Sequence, residues 1–285
     1  MKKLIVVLLP VLMLAGCAGT PPPADPESGP ELIVVLPELF TPNPQVANDS
    51  MTVSITVNHP VEIRDWNIRI QPIRRGRGPQ PPEAEDERRI FFEASGTGRP
   101  PAQWRWNGRS SSPGNEMAQS ATEYRFTLSV NDVHGNNSTY EGSFNIGIIV
   151  LRDGNVYRIA VPSLVFPGNS ADLAAVEEEY RRSNSRVLWS IANSLYMFPD
   201  YRITVEGHAN PTFPAGTAAR ANEERVIQPI SEARARAVVD YLVANYNIPR
   251  ARFTVVGMGG RRTVANHTDD EVNWKNRRVE FILNR

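Results

Sequence analysis

The sequence predicts a multidomain α+β chain, with an all-β sandwich over residues 31–153 followed by a βαβαββ α/β sandwich over 154–285. Two observations carry that expectation. From Leu32 to about Val150, apolar and polar residues alternate in short runs with turn clusters between them, and no stretch has helical spacing. Beyond Val156 the apolar period switches back and forth between that of a strand and that of a helix.

Ahead of both domains, Lys2 and Lys3 precede an apolar run from Leu4 to Leu14, and the small residues Ala15 and Gly16 lead into Cys17, the chain's one cysteine. This is the layout of a cleavable signal peptide over 1–16, and the run is too short to span a bilayer, which takes about 20 residues. Leu14 to Cys17 resembles the lipobox of bacterial lipoproteins, which implies cleavage before Cys17 and lipid on its thiol and new amino end. Several acyl chains, at about 0.8 kcal/mol per buried methylene, make such an anchor stable. Ala18 follows where an aspartate would retain the protein in the inner membrane, so the expected location is the outer membrane, facing the periplasm. Residues 17–30 then form a lipidated, proline-rich linker. With Cys17 consumed, disulfides, thiol nucleophiles and cysteine metal sites are excluded. A formal net charge of +0 gives no basis for a nucleic-acid surface.

In the first domain, Val53, Ile55 and Val57 alternate with Thr and Ser, as do Tyr124, Phe126, Leu128 and Val130 with Arg, Thr and Ser. Trp66 with Ile68 and Ile70, the glycines Gly96 and Gly98, Trp104 to Gly108, and Tyr124 to Asn136 resemble the immunoglobulin-like domains of flagellar-hook capping and spirochaetal envelope proteins. Trp66, Trp104 and Trp106 are expected to pack in the core. Arg74, Arg75 and Arg77 are soon followed by Glu83, Glu85, Asp86 and Glu87, among prolines, and read as a solvated loop.

In the second domain a strand through Tyr157, Ile159 and Val161 leads to Pro167 and Gly168. Ser170 is placed to cap a helix carrying Leu173, Val176, Tyr180, Val187, Leu188, Ile191 and Leu195. A strand over Tyr201–Glu206, a helix over about Ser231–Asn245, and strands over Phe253–Val256 and Arg278–Leu283 follow. Arg234 lies beside the apolar stripe of the second helix, formed by Ile230, Ala237, Val238, Tyr241 and Leu242. A buried guanidinium needs a carboxylate or another strong acceptor; the other reading is that Arg234 snorkels to the surface.

Val205 to Ala209, Ile230 to Ala235 with Val238, Tyr241 and Leu242, and Asn276 to Glu280 match, in order, the main motifs of OmpA-like domains (OmpA, Pal and MotB). The resemblance covers about residues 155 to 285. It implies non-covalent binding of the peptidoglycan stem peptide, with an aspartate and an arginine holding the ammonium and carboxylate of its diamino acid. The implied peptidoglycan-binding residues are Asn169, His208, Ala209, Asn210, Arg234 and Arg277. Asn210 stands where the family has its aspartate. A hydrogen bond to a charged group contributes about 1.5 to 3 kcal/mol against about 1 for a neutral one, so the swap is expected to weaken binding roughly tenfold. Glu223 and Glu224, in the long segment 211–229, are expected to be solvated; the other reading is that one of them restores a carboxylate to the site if the loop folds back.

These features predict a lipoprotein that tethers the outer membrane to peptidoglycan, the lipid holding one and the OmpA-like domain the other. The alternative is a non-enzymatic envelope scaffold that has lost wall binding and contacts other envelope proteins. Enzymatic activity is not expected, because no nucleophile elbow, H-E-x-x-H or paired metal-ligand spacing occurs, and no catalytic residue, metal or cofactor is assigned.

Overall fold

A computed structural model describes residues 29–73, 90–161, 164–167, 169–211, 217–269 and 272–285. Cys17, most of the linker behind it, and the arginine and glutamate run at 74–87 lie outside the described residues. Among the described residues no helix is long and apolar enough to cross a membrane.

The first part of the chain folds into two facing sheets. One orders β1 (Glu31–Val35), β3 (Met51–Asn58) and β6 (Gln103–Trp106). The other orders β2 (Leu39–Phe40), β8 (Asn137–Ile146), β7 (Glu123–Asp132), β4 (Ile63–Pro72) and β5 (Phe92–Thr97). Alternation sends Val53, Ile55, Trp104 and Trp106 from one sheet and Ile68, Ile70, Phe126, Leu128 and Phe144 from the other into one shared core. Trp106 sits among Phe40, Phe91, Phe92, Tyr124 and Phe144, with ring centroids 5.7–6.2 Å away, and its indole N–H is satisfied by the Arg109 carbonyl at 2.8 Å. Trp66 lies differently, across its partner Gly96 in β5, where an added Cβ would come within 2.7 Å of the ring.

The second part is one five-stranded sheet with helices on a single face. The strand order is β12 (Phe253–Gly259), β11 (Arg202–His208), β13 (Val279–Asn284), β10 (Val156–Val161), β9 (Leu151–Asp153). β9 lies before the expected domain start at 154 yet belongs to this sheet, hairpinned to β10 through Gly154 at φ +60°. Its own side chains are exposed and carry no alternation, so the apolar pattern is silent there. Helix α1 (Glu178–Tyr196) buries Val187, Leu188, Ile191 and Leu195. It starts later than Ser170, because Ser170 Oγ and Asp172 Oδ1 accept the Asp172 and Ala174 amides and hold the chain in local turns instead.

The second helical region also differs from expectation. A short α2 (Thr217–Asn222) runs through a π turn at Glu223–Ile227 into α3 (Gln228–Tyr246). The buried stripe of α3 is Ser231, Ala235, Val238, Val239 and Leu242, rotated from the one expected, and Arg234 borders it. Small residues face each other here for a reason: a Cβ on Gly207 would meet the Ser231 carbonyl at 1.9 Å, and one on Gly257 would meet that of Gln228 at 2.6 Å. α3 therefore lies almost on the backbone of β11 and β12.

Candidate functional site

β10, β11 and β12 are parallel to one another and antiparallel to β13. Their carboxyl ends and the start of β13 thus share one edge of the sheet, where the chain leaves regular structure and side chains converge. Asn169 follows β10, Ala209 and Asn210 follow β11, Gly260 follows β12, and Arg277 precedes β13. The N-terminal turns of α3 close over the same edge, since the Gly259 amide donates to Ser231 Oγ at 2.9 Å.

Arg234 lies about one turn beyond Ser231. Its Nε donates to the Ser170 carbonyl at 3.1 Å and its Nη2 to that of Pro167 at 3.2 Å, while the guanidinium sits 5.2 Å from the centre of the Phe166 ring. The strong acceptors expected for this arginine are therefore backbone carbonyls of the loop after β10. Asn169 shapes that loop by taking φ +54°, a conformation that asparagine tolerates better than most residues. Those two bonds occupy one edge of the guanidinium; its other three N–H groups have no partner among the described residues. Burial, and then the neighbouring Arg277 charge, press the Arg234 pKa below its ordinary value. Two guanidiniums held close with an unused edge make a seat for an anion, a planar carboxylate in particular.

Asn210 contributes an acceptor. Its Oδ1 is buried and without a hydrogen-bond partner, as are both ring nitrogens of the nearby His208. Ala209 is buried and donates its amide to the Gly259 carbonyl at 2.8 Å, fixing the path into Asn210. Arg277 is exposed.

The structure places His208 elsewhere. Since Gly207 faces α3, His208 points to the opposite face of the sheet, where it is 2% exposed. Its Nε2 lies 3.4 Å from Glu206 and 3.9 Å from Glu280. These three side chains bring ligand atoms within 4.8 Å of one another, close enough to hold a cation. Guanidiniums already hold the carboxylates, however: Arg278 Nε donates to Glu280 at 2.6 Å, Arg262 lies 3.4 Å from Glu206, and Arg158 approaches Glu280 to 4.0 Å. A dication would enter a pocket that is already positive. Burial, and then Arg278, push the His208 pKa down to about 4 against a partial opposing pull from Glu280, so the imidazole is neutral at pH 7. In the same motif Asn276 is fully buried and ties down the Val264 and Ala265 amides, at 2.7 and 3.0 Å.

One contributor, Phe166, was not singled out from the sequence. Its proximity to Arg234 has no local signal. Glu223, expected to be solvated, instead folds back so that its Oε1 accepts the Gly260 amide at 2.9 Å. Glu224 is exposed.

Comparison with known proteins matches the same part of the chain. Residues 165–277 match the OmpA family, and this part of the chain is an OmpA-like domain. The peptidoglycan-binding protein ArfA of Mycobacterium tuberculosis is 33% identical over 98 residues, covering 34% of this chain and 27% of that protein. Outer membrane porin F of Pseudomonas aeruginosa is 38% identical over 91 residues, covering 32% of this chain and 23% of that protein. The chain thus spans about a quarter of the length of the curated relatives it matches. Among solved structures, the cell wall anchor of the T6SS from Pseudomonas aeruginosa is 26% identical, covers 48% of this chain and 86% of that one, and has a TM-score of 0.36.

Proposed function

We propose that the chain is a cell-envelope lipoprotein that holds peptidoglycan non-covalently through the stem peptide and is tethered to the outer membrane by lipid on Cys17. The observation that carries the reading is Arg234: a half-buried guanidinium, pinned by neutral carbonyls and close to Arg277, with an unused hydrogen-bonding edge. A stem-peptide carboxylate fits that edge, and the orphaned Asn210 Oδ1 fits a donor on the same ligand. The match of residues 165–277 to the OmpA family, and the similarity to a relative named as peptidoglycan-binding, support the same ligand. On this reading Asn169 and Ala209 shape the site and His208 supports it from the far face. The immunoglobulin-like first domain is the spacer. On this reading the role is binding rather than catalysis.

The test is co-sedimentation of the purified mature protein with cell-wall sacculi. Pelleting that Arg234→Ala abolishes is the expected result, and no pelleting above a control protein contradicts it. One observation favours the scaffold alternative: position 210 carries a neutral amide. That alternative predicts no wall binding, and crosslinking to other envelope proteins in cells.

A further inference from the structure

The sheet edge that holds Arg234 also holds a carboxylate that the π turn delivers. Glu223 opens that turn, whose closing bond runs from the Gln228 amide to the Glu223 carbonyl and inserts a residue relative to α-helical spacing. The extra residue changes the angular register ahead of α3, and the Glu223 side chain turns back onto the end of β12. Its Oε1 accepts the Gly260 amide at 2.9 Å. Gly259 makes room: it takes φ +55°, and a Cβ there would lie 1.7 Å from Glu223 Oε1. On the other side of Gly260, a Cβ would come within 2.9 Å of the nitrogen of Pro211, the residue directly after Asn210. Glu223 and Asn210 therefore border the same glycine corner.

The charges around that corner do not cancel internally. Arg261 is committed to the Gln228 side chain, and Arg262 to Glu206 on the far face. Among the described residues no guanidinium or ammonium pairs with Glu223. A carboxylate without a cation, a buried amide oxygen without a donor, and a guanidinium with an unused edge at this end of the sheet supply the two poles that a bipolar ligand needs.

Resting on the wall-binding reading above, we propose that Glu223 is a ligand-contacting residue that receives the cationic end of a zwitterionic ligand, the free ammonium of the stem peptide's diamino acid, while Arg234 receives its carboxylate. Asn210 then supplies only a neutral acceptor, and the negative charge of the site has moved from the β11 end to the π turn.

The experiment uses the full mature protein and two probes: intact sacculi, and soluble muropeptides released from them, with and without acetylation of their free amines. Glu223→Gln keeps an acceptor for the Gly260 amide and removes only the charge. It is expected to weaken muropeptide binding about tenfold with an unchanged melting temperature. Adding Asn210→Asp to Glu223→Gln is expected to restore binding, a rescue that a merely structural role for Glu223 would not give. Acetylated muropeptides are expected to bind wild type as weakly as Glu223→Gln does. If wild type binds and Arg234→Ala does not, but Glu223→Gln binds like wild type, the role of Glu223 is overturned and wall binding stands. If wild type binds neither sacculi nor muropeptides, both readings fall.

Discussion

Arg278 and Arg234 lie near the same end of one sheet and are held in opposite ways. Arg278, on the face away from the helices, is 6% exposed, pairs with Glu280 and donates to the Arg262 carbonyl at 3.1 Å. Arg234, on the helical face, is half-buried and held by two neutral carbonyls and an aromatic ring. A guanidinium whose counter-charge is built into the fold is a strut, because its field is spent on its partner. One held only by dipoles keeps its charge for a group that arrives from outside. The adjacent arginines of the N-R-R-V-E motif divide the same way: Arg277 is exposed beside the site, and Arg278 is locked beneath the sheet.

The contrast can be broken experimentally. Glu206 and Glu280 are directly opposite in register, and their proximity is tolerated because guanidiniums stand against them. Arg278→Ala is expected to destabilise the protein by about 3–5 kcal/mol, as for one partner removed from a buried pair. Urea unfolding monitored by circular dichroism measures this; a loss below about 1 kcal/mol would make Arg278 no strut at all.

The same network predicts a pH dependence. The folded protein keeps His208 neutral down to about pH 4, whereas the unfolded chain protonates it near its ordinary 6.5. Between those values the unfolded state takes up a proton that the folded state refuses. This stability is complete above about 6.5 and is lost as pH falls to about 4, by up to about 3 kcal/mol. Unfolding midpoints for wild type and His208→Gln from pH 7.5 to 4 should diverge in slope, and parallel curves would count against the assignment.

Gly259→Ala acts on the open side. The substitution forces a left-handed alanine and collides with Glu223, at an expected cost of about 1–2 kcal/mol in stability. It should weaken muropeptide binding about as much as Glu223→Gln does; unchanged binding would separate the glycine corner from the site. The smallest effect is expected at Lys275, whose ammonium meets Glu116, a residue ahead of β7, at 2.7 Å near the surface. Lys275→Ala should cost about 0.2–1 kcal/mol, and a larger shift in thermal unfolding would show that this contact couples the two parts of the chain.

Much of this arrangement was legible from residue order alone. Strict alternation announced β3, β4 and β7, because each presents one face to a core and one to solvent. Arg234 stood out as a charge bordering an apolar helical stripe. What stayed hidden depends on contacts distant in sequence. The late start of α1 comes from Ser170 and Asp172 competing for local amides, and propensity alone leaves helix and turn open there. β9 forms by pairing with β10, without an apolar face of its own. For Glu223 the residue order left solvation and a return to the site both open, since its return to Gly260 depends on a π turn and on Gly259. His208 sat in a motif associated with the site, and only the alternation set by Gly207 against Ser231 assigns it to the other face.

On the proposed function, Arg234 is an open seat for an anionic wall ligand. Its most direct test is binding of soluble muropeptides to the mature protein and to Arg234→Ala by titration calorimetry, with urea unfolding of both as the control. Saturable binding by wild type and none by a variant that retains its fold, with at most about 1–2 kcal/mol lost, is the predicted result. Equal affinities for the two proteins would contradict the account.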